Sequence, residues 1–302
     1  VEDYSLNVNS NFVDWLTIDP MSGTVGEAGS DNIDFTFDAT DLSEGDYYAD
    51  VTVFSNDPVN PEIILPCTLH VGDAGFETNL TVFIEGPFNG SGMDTDLNAL
   101  GLLPLNQPFN SVPAAEWYYS GTESVGAIPN PDVVDWVLVE LRDATSASSA
   151  TEATWIASQA GFLLNDGSIV SIDGSSNMFF DVTFSNGLYA IVYTRNHIGI
   201  ISATALTGAG GIYSYDFSIG MGQAHGGSAG YNNLGSGIWG MVSGDSNADG
   251  EVNMMDKTAA WETMAGEAGY DPNDNNLDGQ INNIDKDSYM LKNMSKASQI
   301  PE

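Results

Sequence analysis

The chain has 302 residues, 42% of them hydrophobic and 10% aromatic, which is ample for packed cores and too long for one ordinary domain. Its charge is lopsided, with 42 acidic against 6 basic residues and a formal net charge of −36. Phosphate backbones and anionic lipid surfaces repel such a chain, so general nucleic-acid binding and polybasic membrane attachment are excluded. Multivalent cations and basic partners remain attractive.

The imbalance is uneven. Residues 1–243 hold 30 acids, only Arg142 and Arg195 as bases, and no lysine; residues 244–302 hold 12 acids and Lys257, Lys286, Lys292 and Lys296. Gly, Ser, Thr and Asn fill the surface instead, as in secreted β-rich proteins, and a saline habitat accounts for the acidity equally well. Cys67 is the only cysteine, so no intrachain disulfide and no cysteine-based metal site can form. Its run "EIILPCTLHV" reads as a strand with an inert core thiol. No run approaches the roughly 18 apolar residues that span a bilayer. Val1 does not open a signal peptide, and the expectation is a mature product whose targeting segment has been removed.

Residues 1–74 read as short strands. Ile33, Phe35 and Phe37 alternate with Asp34, Thr36 and Asp38; Ala49, Val51 and Val53 alternate with Tyr48, Asp50, Thr52 and Phe54. That is the period of a half-buried strand, and "DPMSG", "SEGD" and "NDPVNP" supply the turns between. "WLTIDPMSGTV" followed by "GDYYADVTVFSNDPVNP" resembles the second half of a bacterial immunoglobulin-like module. The resemblance implies further strands before Trp15, and a sandwich short of strands invites one from a neighbouring chain.

Residues 75–243 show almost no helical periodicity. "NLTVFIEGPF", "DVVDWVLVELRD", "ATWIASQAGFLLNDG", "LYAIVYTRNHIGIISA" and "GIYSYDFSIG" read as strands joined by glycine-rich loops, and predict a larger, jelly-roll-like β-sandwich. "IEGPFNGS", "LLPLNQPFN", "VDWVLVELRD", "RNHIGIISA" and "SGIWGM" resemble an uncharacterised module of secreted proteins of the Bacteroidetes type, which carries no chemistry to transfer.

Residues 244–302 contain two twelve-residue acidic loops. The first places Asp245, Asn247, Asp249, Asn253 and Asp256 at positions 1, 3, 5, 9 and 12, and the second places Asp274, Asn276, Asp278, Asn282 and Asp285 there. Gly250 and Gly279 stand at position 6, where the chain must turn sharply. Glu251 and Gln280 at position 7 would offer main-chain carbonyls, and Val252 and Ile281 at position 8 would pair the loops or pack inward. A large hard cation needs six to eight oxygens in a flexible cage, so this spacing predicts two calcium ions and disfavours magnesium. "GDSNADGEVNMMDK" and "YDPNDNNLDGQINNIDKDSYMLKN" resemble a type I dockerin. That resemblance implies a helix after each loop, antiparallel halves and a cohesin-like partner. The spacer between the loops is longer than in that family. Positions 10 and 11 hold Met254 and Met255 in one loop and Asn283 and Ile284 in the other, and are expected to be buried against the preceding sandwich.

Catalytic constellations are missing from the sequence. His70, His197 and His225 are scattered, with no His-Glu-x-x-His or Gly-x-Ser-x-Gly pattern. Arg195 and His197 share a strand face and could hold a carboxylate or sugar, although a surface salt bridge is the simpler expectation. Asp132, Asp135, Glu140 and Asp143 could supply a glycosidase pair, but 42 acids bring some together by arithmetic alone. Trp117, Tyr118 and Tyr119, or Tyr213, Tyr215 and Phe217, could stack on sugars, with a core role the ordinary alternative. Asn79 and Asn89 lie in glycosylation sequons.

The chain thus reads as mainly β: an immunoglobulin-like sandwich, a larger jelly-roll-like sandwich and a small α-helical dockerin-like domain. The expected function is a secreted or cell-surface, non-enzymatic, calcium-stabilised structural or adhesive protein, able to self-assemble into a homopolymer by strand complementation. The alternative is a glycan-binding or enzyme-accessory module docked on a surface partner through its dockerin-like domain.

Overall fold

In the computed structural model the described residues are 2–9 (main chain only), 13–26, 29–43, 45–71, 75–111, 115 and 117–302. The chain is mainly β and divides into two compact units, Val1–Ala74 and Gly75–Glu302.

In the first unit β1 (Glu2–Asn9), β3 (Ser22–Val25), β5 (Gly45–Ser55) and β6 (Glu62–Val71) form an antiparallel sheet in the order β3-β1-β5-β6, and β2 (Leu16–Asp19) pairs with β4 (Asp34–Phe37). The alternation in β5 is the one its sequence demands: Ala49 and Val51 are buried while Tyr48 is exposed. They share a core with Trp15, Leu16 and Ile18 from the β2 side, and Trp15 stacks on Phe37 at 5.9 Å. The edge strand β6 departs from a core strand. Ile63, Ile64 and Leu65 are 49%, 58% and 40% exposed, so three consecutive apolar residues leave both faces of the strand uncovered. Cys67 is half-buried and packs against this core, and burial followed by the Asp50 charge raises its pKa.

The second unit holds a five-stranded antiparallel sheet, β10-β9-β8-β12-β13, and a four-stranded sheet, β11-β7-β15-β14. The strands are β7 (Phe76–Thr81), β8 (Val133–Ala144), β9 (Trp155–Leu164), β10 (Ile169–Val170), β11 (Met178–Phe180), β12 (Gly187–Tyr193), β13 (Ile200–Ile201), β14 (Thr207–Ala209) and β15 (Ile212–Asp216). A hairpin of β16 (Tyr231–Gly235) and β17 (Ile238–Met241) follows, and β15 runs parallel to β7. Side chains from both large sheets meet in one core: Trp136 and Phe162 lie 4.2 Å apart centroid to centroid, and Phe76 packs with Phe180, Phe184 and Tyr213. Almost every side chain of β8 and β12 is buried, which accounts for their unbroken apolar runs. Tyr215 and Phe217 belong to this core.

Residues 244–302 lie in the same compact unit. After the first loop a π-helical turn, Asp256–Trp261, passes into a short helix at Glu262–Met264; after the second, Asp285–Met290 passes into a 3-10 turn, Leu291–Asn293. Both π-turns start on the last acid of a loop and end on a buried apolar residue, Trp261 or Met290. These two join Val252, Ile281, Ile198 and Val242 in a second core, where full burial stabilises by about 1.5–3 kcal/mol per large side chain. Contrary to expectation, Met254, Met255 and Ile284 are 54%, 55% and 51% exposed. The segment packs inward through position 8 and the ends of its helical turns, so positions 10 and 11 face outward. Among the described residues no helix is long and apolar enough to cross a membrane.

Candidate metal centre and its seat

The two acidic loops share one framework of main-chain to carboxylate hydrogen bonds. Asp245 at position 1 accepts the amides of Asp249 (3.1 Å) and Gly250 (3.0 Å); Asp274 accepts those of Asp278 (3.1 Å) and Gly279 (2.9 Å). The last carboxylate closes the ring: Asp256 accepts Asn247 and Asn253 at 3.2 and 2.8 Å, and Asp285 accepts Asn276 and Asn282 at 3.1 and 2.8 Å. Asn247 and Asn276 donate from Nδ2 to Asp249 and Asp278. Gly250 and Gly279 take φ of 80° and 81°, a region where a side chain is strained. Ala248 and Leu277 at position 4 bear that strain, with φ of 60° and 62°.

Position 8 packs inward and does not pair loop with loop. Val252 and Ile281 are both fully buried; Val252 N–H bonds to Lys296 O, and Ile281 N–H to Glu267 O. Gln280 at position 7 donates its side-chain amide to Glu267 O at 2.7 Å, and Glu251 bridges to Ala297.

Burial, the largest cause, raises the carboxyl pKa of Asp256, Asp274 and Asp285, that of Asp274 to about 7. Neighbouring acids add to this: Asp249 acts on Asp256, while Asp285 and Asp278 act on Asp274. Ionised carboxylates packed this way are costly unless a cation is shared among them. Among the described residues no three Asp, Glu, His or Cys side chains converge into a ready cage, because the carboxylates turn toward main-chain amides. The donor set of each loop nevertheless fits calcium. It is all oxygen, from three Asp and two Asn, with the carbonyl of position 7 at hand and a tight turn at position 6.

The second loop rests in a seat that sequence reading did not locate. Arg195, Asn196 and His197 follow β12 in a turn and are 3%, 1% and 1% exposed. They lie neither on a strand face nor at the surface, so the expected salt bridge of Arg195 is present but buried. Arg195 pairs through Nε with Asp135 at 3.0 Å, lies 4.2 Å from the Tyr270 ring centre and donates from Nη1 to Asp271 O. Tyr270 donates its hydroxyl to the same Asp135 carboxylate at 2.7 Å, which a β-bulge in β8 accompanies. Asn196 donates from Nδ2 to Pro272 O at 3.1 Å and Asp274 O at 2.7 Å.

Gly86 N–H donates to His197 Nε2 at 3.3 Å, so His197 is the Nδ1–H tautomer and donates to Asn196 Oδ1 at 2.9 Å. A Cβ on Gly86 would stand 2.0 Å from Asn275 O, so only glycine permits this approach. Ser243 Oγ donates to Asn275 O at 2.8 Å; Glu85 accepts from Lys292 (2.8 Å) and Asn293 (2.6 Å); Tyr289 donates to Gly86 O. The "IEGPF" and "RNH" stretches, whose role the sequence left open, are the receiving surface.

The other candidate residues are engaged structurally. Asp132 holds Asn165, Glu140 pairs with Arg142 at 2.7 Å, and Asp143 accepts the amides of Ser185 and Asn186. Asp135 is committed to Arg195 and Tyr270. Trp117 is buried edge-on against Phe109, Tyr119 donates to Glu123, and Tyr118 is exposed. His70 contacts Asp46. Asn79 is exposed on β7, and Asn89 is exposed in a turn bonded to Asp94. No family model matches the chain, and no curated protein matches it either.

Proposed function

We propose that the protein is an extracellular, calcium-stabilised structural or adhesive module, in which two calcium ions staple residues 244–302 onto the β-rich unit. Asp245, Asn247, Asp249, Asn253, Asp256 and the carbonyl of Glu251 would hold one ion. Asp274, Asn276, Asp278, Asn282, Asp285 and the carbonyl of Gln280 would hold the other. The observation that carries this reading is the same carboxylate hydrogen-bond framework repeated in two all-oxygen loops whose closing carboxylates are buried. A cation shared by such carboxylates removes their repulsion, and its binding free energy becomes folding free energy. In this reading the first unit is an immunoglobulin-like sandwich that self-assembles by strand addition along β6, where Ile63, Ile64 and Leu65 are exposed.

A second reading has one observation in its favour. Met254, Met255 and Ile284 are exposed at equivalent positions of the two repeats, so the dockerin-like segment of an enzyme-accessory module could meet a surface partner with that face while its other face stays on the β unit.

A thermal melt followed by light scattering, in calcium and then in excess chelator, tests both. Loss of thermal stability in chelator with constant particle size supports the staple. A calcium-dependent change of size makes assembly the function. No response to calcium overturns the metal reading.

A further inference from the structure

An open hollow of about 520 Å³ lies against β8 and β9, lined by Tyr118, Tyr119, Glu140, Glu152, Trp155 and Ser158. Its volume falls within the roughly 300–1,000 Å³ of small-molecule sites. Two of its rings stand in the open, Trp155 at 53% and Tyr118 at 47% exposure, and apolar surface gathered in this way marks an interaction site. Strand register supplies the rest. Ser158 on β9 stands opposite Glu140 on β8, and Trp155 at the start of β9 donates its indole N–H to Ser158 Oγ at 2.8 Å. The 3-10 turn Glu152–Thr154 leads directly into Trp155 and brings a second carboxylate to the hollow.

The charge here is one-sided. The Glu140 side chain is 17% exposed and gives one oxygen to Arg142 Nε at 2.7 Å. Burial nevertheless holds its pKa above the ordinary value, and the Glu152 charge adds to the rise. Glu152 is exposed and enters no ion pair among the described residues. Arg142 and Arg195, the only Lys or Arg of residues 1–243, are 4% and 3% exposed and already paired. No basic side chain among the described residues lines the hollow.

We infer that this hollow binds an organic ammonium group, carried by a free amine or by a lysine side chain, against the Trp155 and Tyr118 rings and the Glu140 and Glu152 carboxylates. Tryptophan and tyrosine faces attract a cation through the ring quadrupole, and the methylene or methyl groups beside the nitrogen take the apolar contact. A neutral ring would cover the two acids without compensating their charge, which is costly as water leaves. Calcium asks for six to eight oxygens, and the rings supply none. With −36 on the chain, a cation also gains from the long-range field on approach. The inference does not depend on the metal reading, because no residue of either acidic loop lines the hollow.

The test is saturation-transfer NMR and calorimetry on the whole chain in calcium, with choline and Nα-acetyl-lysine amide as probes. Nα,Nε-diacetyl-lysine amide and maltose are the neutral comparisons. At least one cationic probe is expected to bind, and its preference over the other tells a free quaternary amine from a lysine side chain. Trp155→Ala is expected to weaken binding tenfold or more, and Glu152→Gln severalfold. Both positions are exposed, so the variants should melt like the wild type, and Tyr118→Ala repeats the test if either does not. Glu62→Gln removes one exposed charge from β6, away from the hollow, and is expected to bind like the wild type. Binding of neither cation, equal binding of a neutral comparison, or a loss with Glu62→Gln that matches Glu152→Gln overturns the proposal. The melt in calcium and chelator, read separately, reports on the metal reading.

Discussion

The side-chain amide of Asn196 donates to the main-chain oxygen of Asp274 at 2.7 Å, across 78 residues of sequence. Asp274 is the first position of the second acidic loop, and Asn196 is itself held by His197, which takes the amide of Gly86. One buried relay therefore runs from the β unit to the place where the second ion would sit. Asn196→Ala removes two donors and leaves the carbonyls of Pro272 and Asp274 without them, a cost of about 1–3 kcal/mol per buried unsatisfied group. Its melting temperature should fall in calcium, and the calcium concentration at half-effect should rise. A wild-type calcium midpoint would separate the relay from the loop.

Removing a ligand tests the staple directly. Asp249→Ala and Asp278→Ala each delete a position 5 carboxylate. A site filled at a hundredfold excess over its dissociation constant contributes about 2.7 kcal/mol. At about 2–4 °C per kcal/mol for a unit of this size, each variant should melt about 5–10 °C lower in calcium and match the wild type more closely in chelator. Equal melting in calcium refutes the staple.

Gly86→Ala places a methyl 2.0 Å from Asn275 O, main chain that has nowhere to move without lifting the second loop. Overpacking of this kind costs about 1–3 kcal/mol. Limited proteolysis should cut residues 244–302 faster than in the wild type while the β signal in circular dichroism persists.

His197 links stability to pH. Burial first, then the Arg195 charge, hold its pKa down at about 3 against the ordinary 6.5. The folded state keeps it neutral while the unfolded chain takes up a proton, so its contribution is complete above about pH 6.5 and is lost as pH falls toward 3. The loss is about 1.4 kcal/mol per pH unit. His197→Gln keeps an acceptor for Gly86 and should flatten the stability profile between pH 6 and 4. Carboxylate effects cancel in the difference between the two proteins. Parallel profiles would contradict the buried neutral assignment.

Ile64→Lys puts a charge on the exposed β6 edge, the ordinary protection against strand addition. Melting should change little, because Ile64 is 58% exposed, whereas any concentration-dependent growth in light scattering should disappear. Growth identical to the wild type would remove β6 as the assembly edge.

The loops were legible because their information is local: oxygen side chains at fixed spacing, glycine at position 6 and an apolar residue at position 8 fix the turn wherever the segment lies. The β character was legible for the same reason, since Ala49, Val51 and Val53 alternate with Tyr48 and Phe54 whatever lies beneath them. The burial of Val252 and Ile281 followed from their place in the loop. The outward turn of Met254, Met255 and Ile284 did not, because helical phase alone leaves open which face meets the β unit; Trp261 and Met290 took that place. Tertiary structure alone decided the roles of Glu85, Gly86, Arg195, Asn196, His197 and Ser243. Each looks ordinary in its own stretch, and its role exists only where strand ends far apart in sequence converge on the second loop. In an interior, a carbonyl or guanidinium must find its hydrogen-bonding partner from whatever chain lies nearest in space, and no periodicity in the sequence records which chain that is.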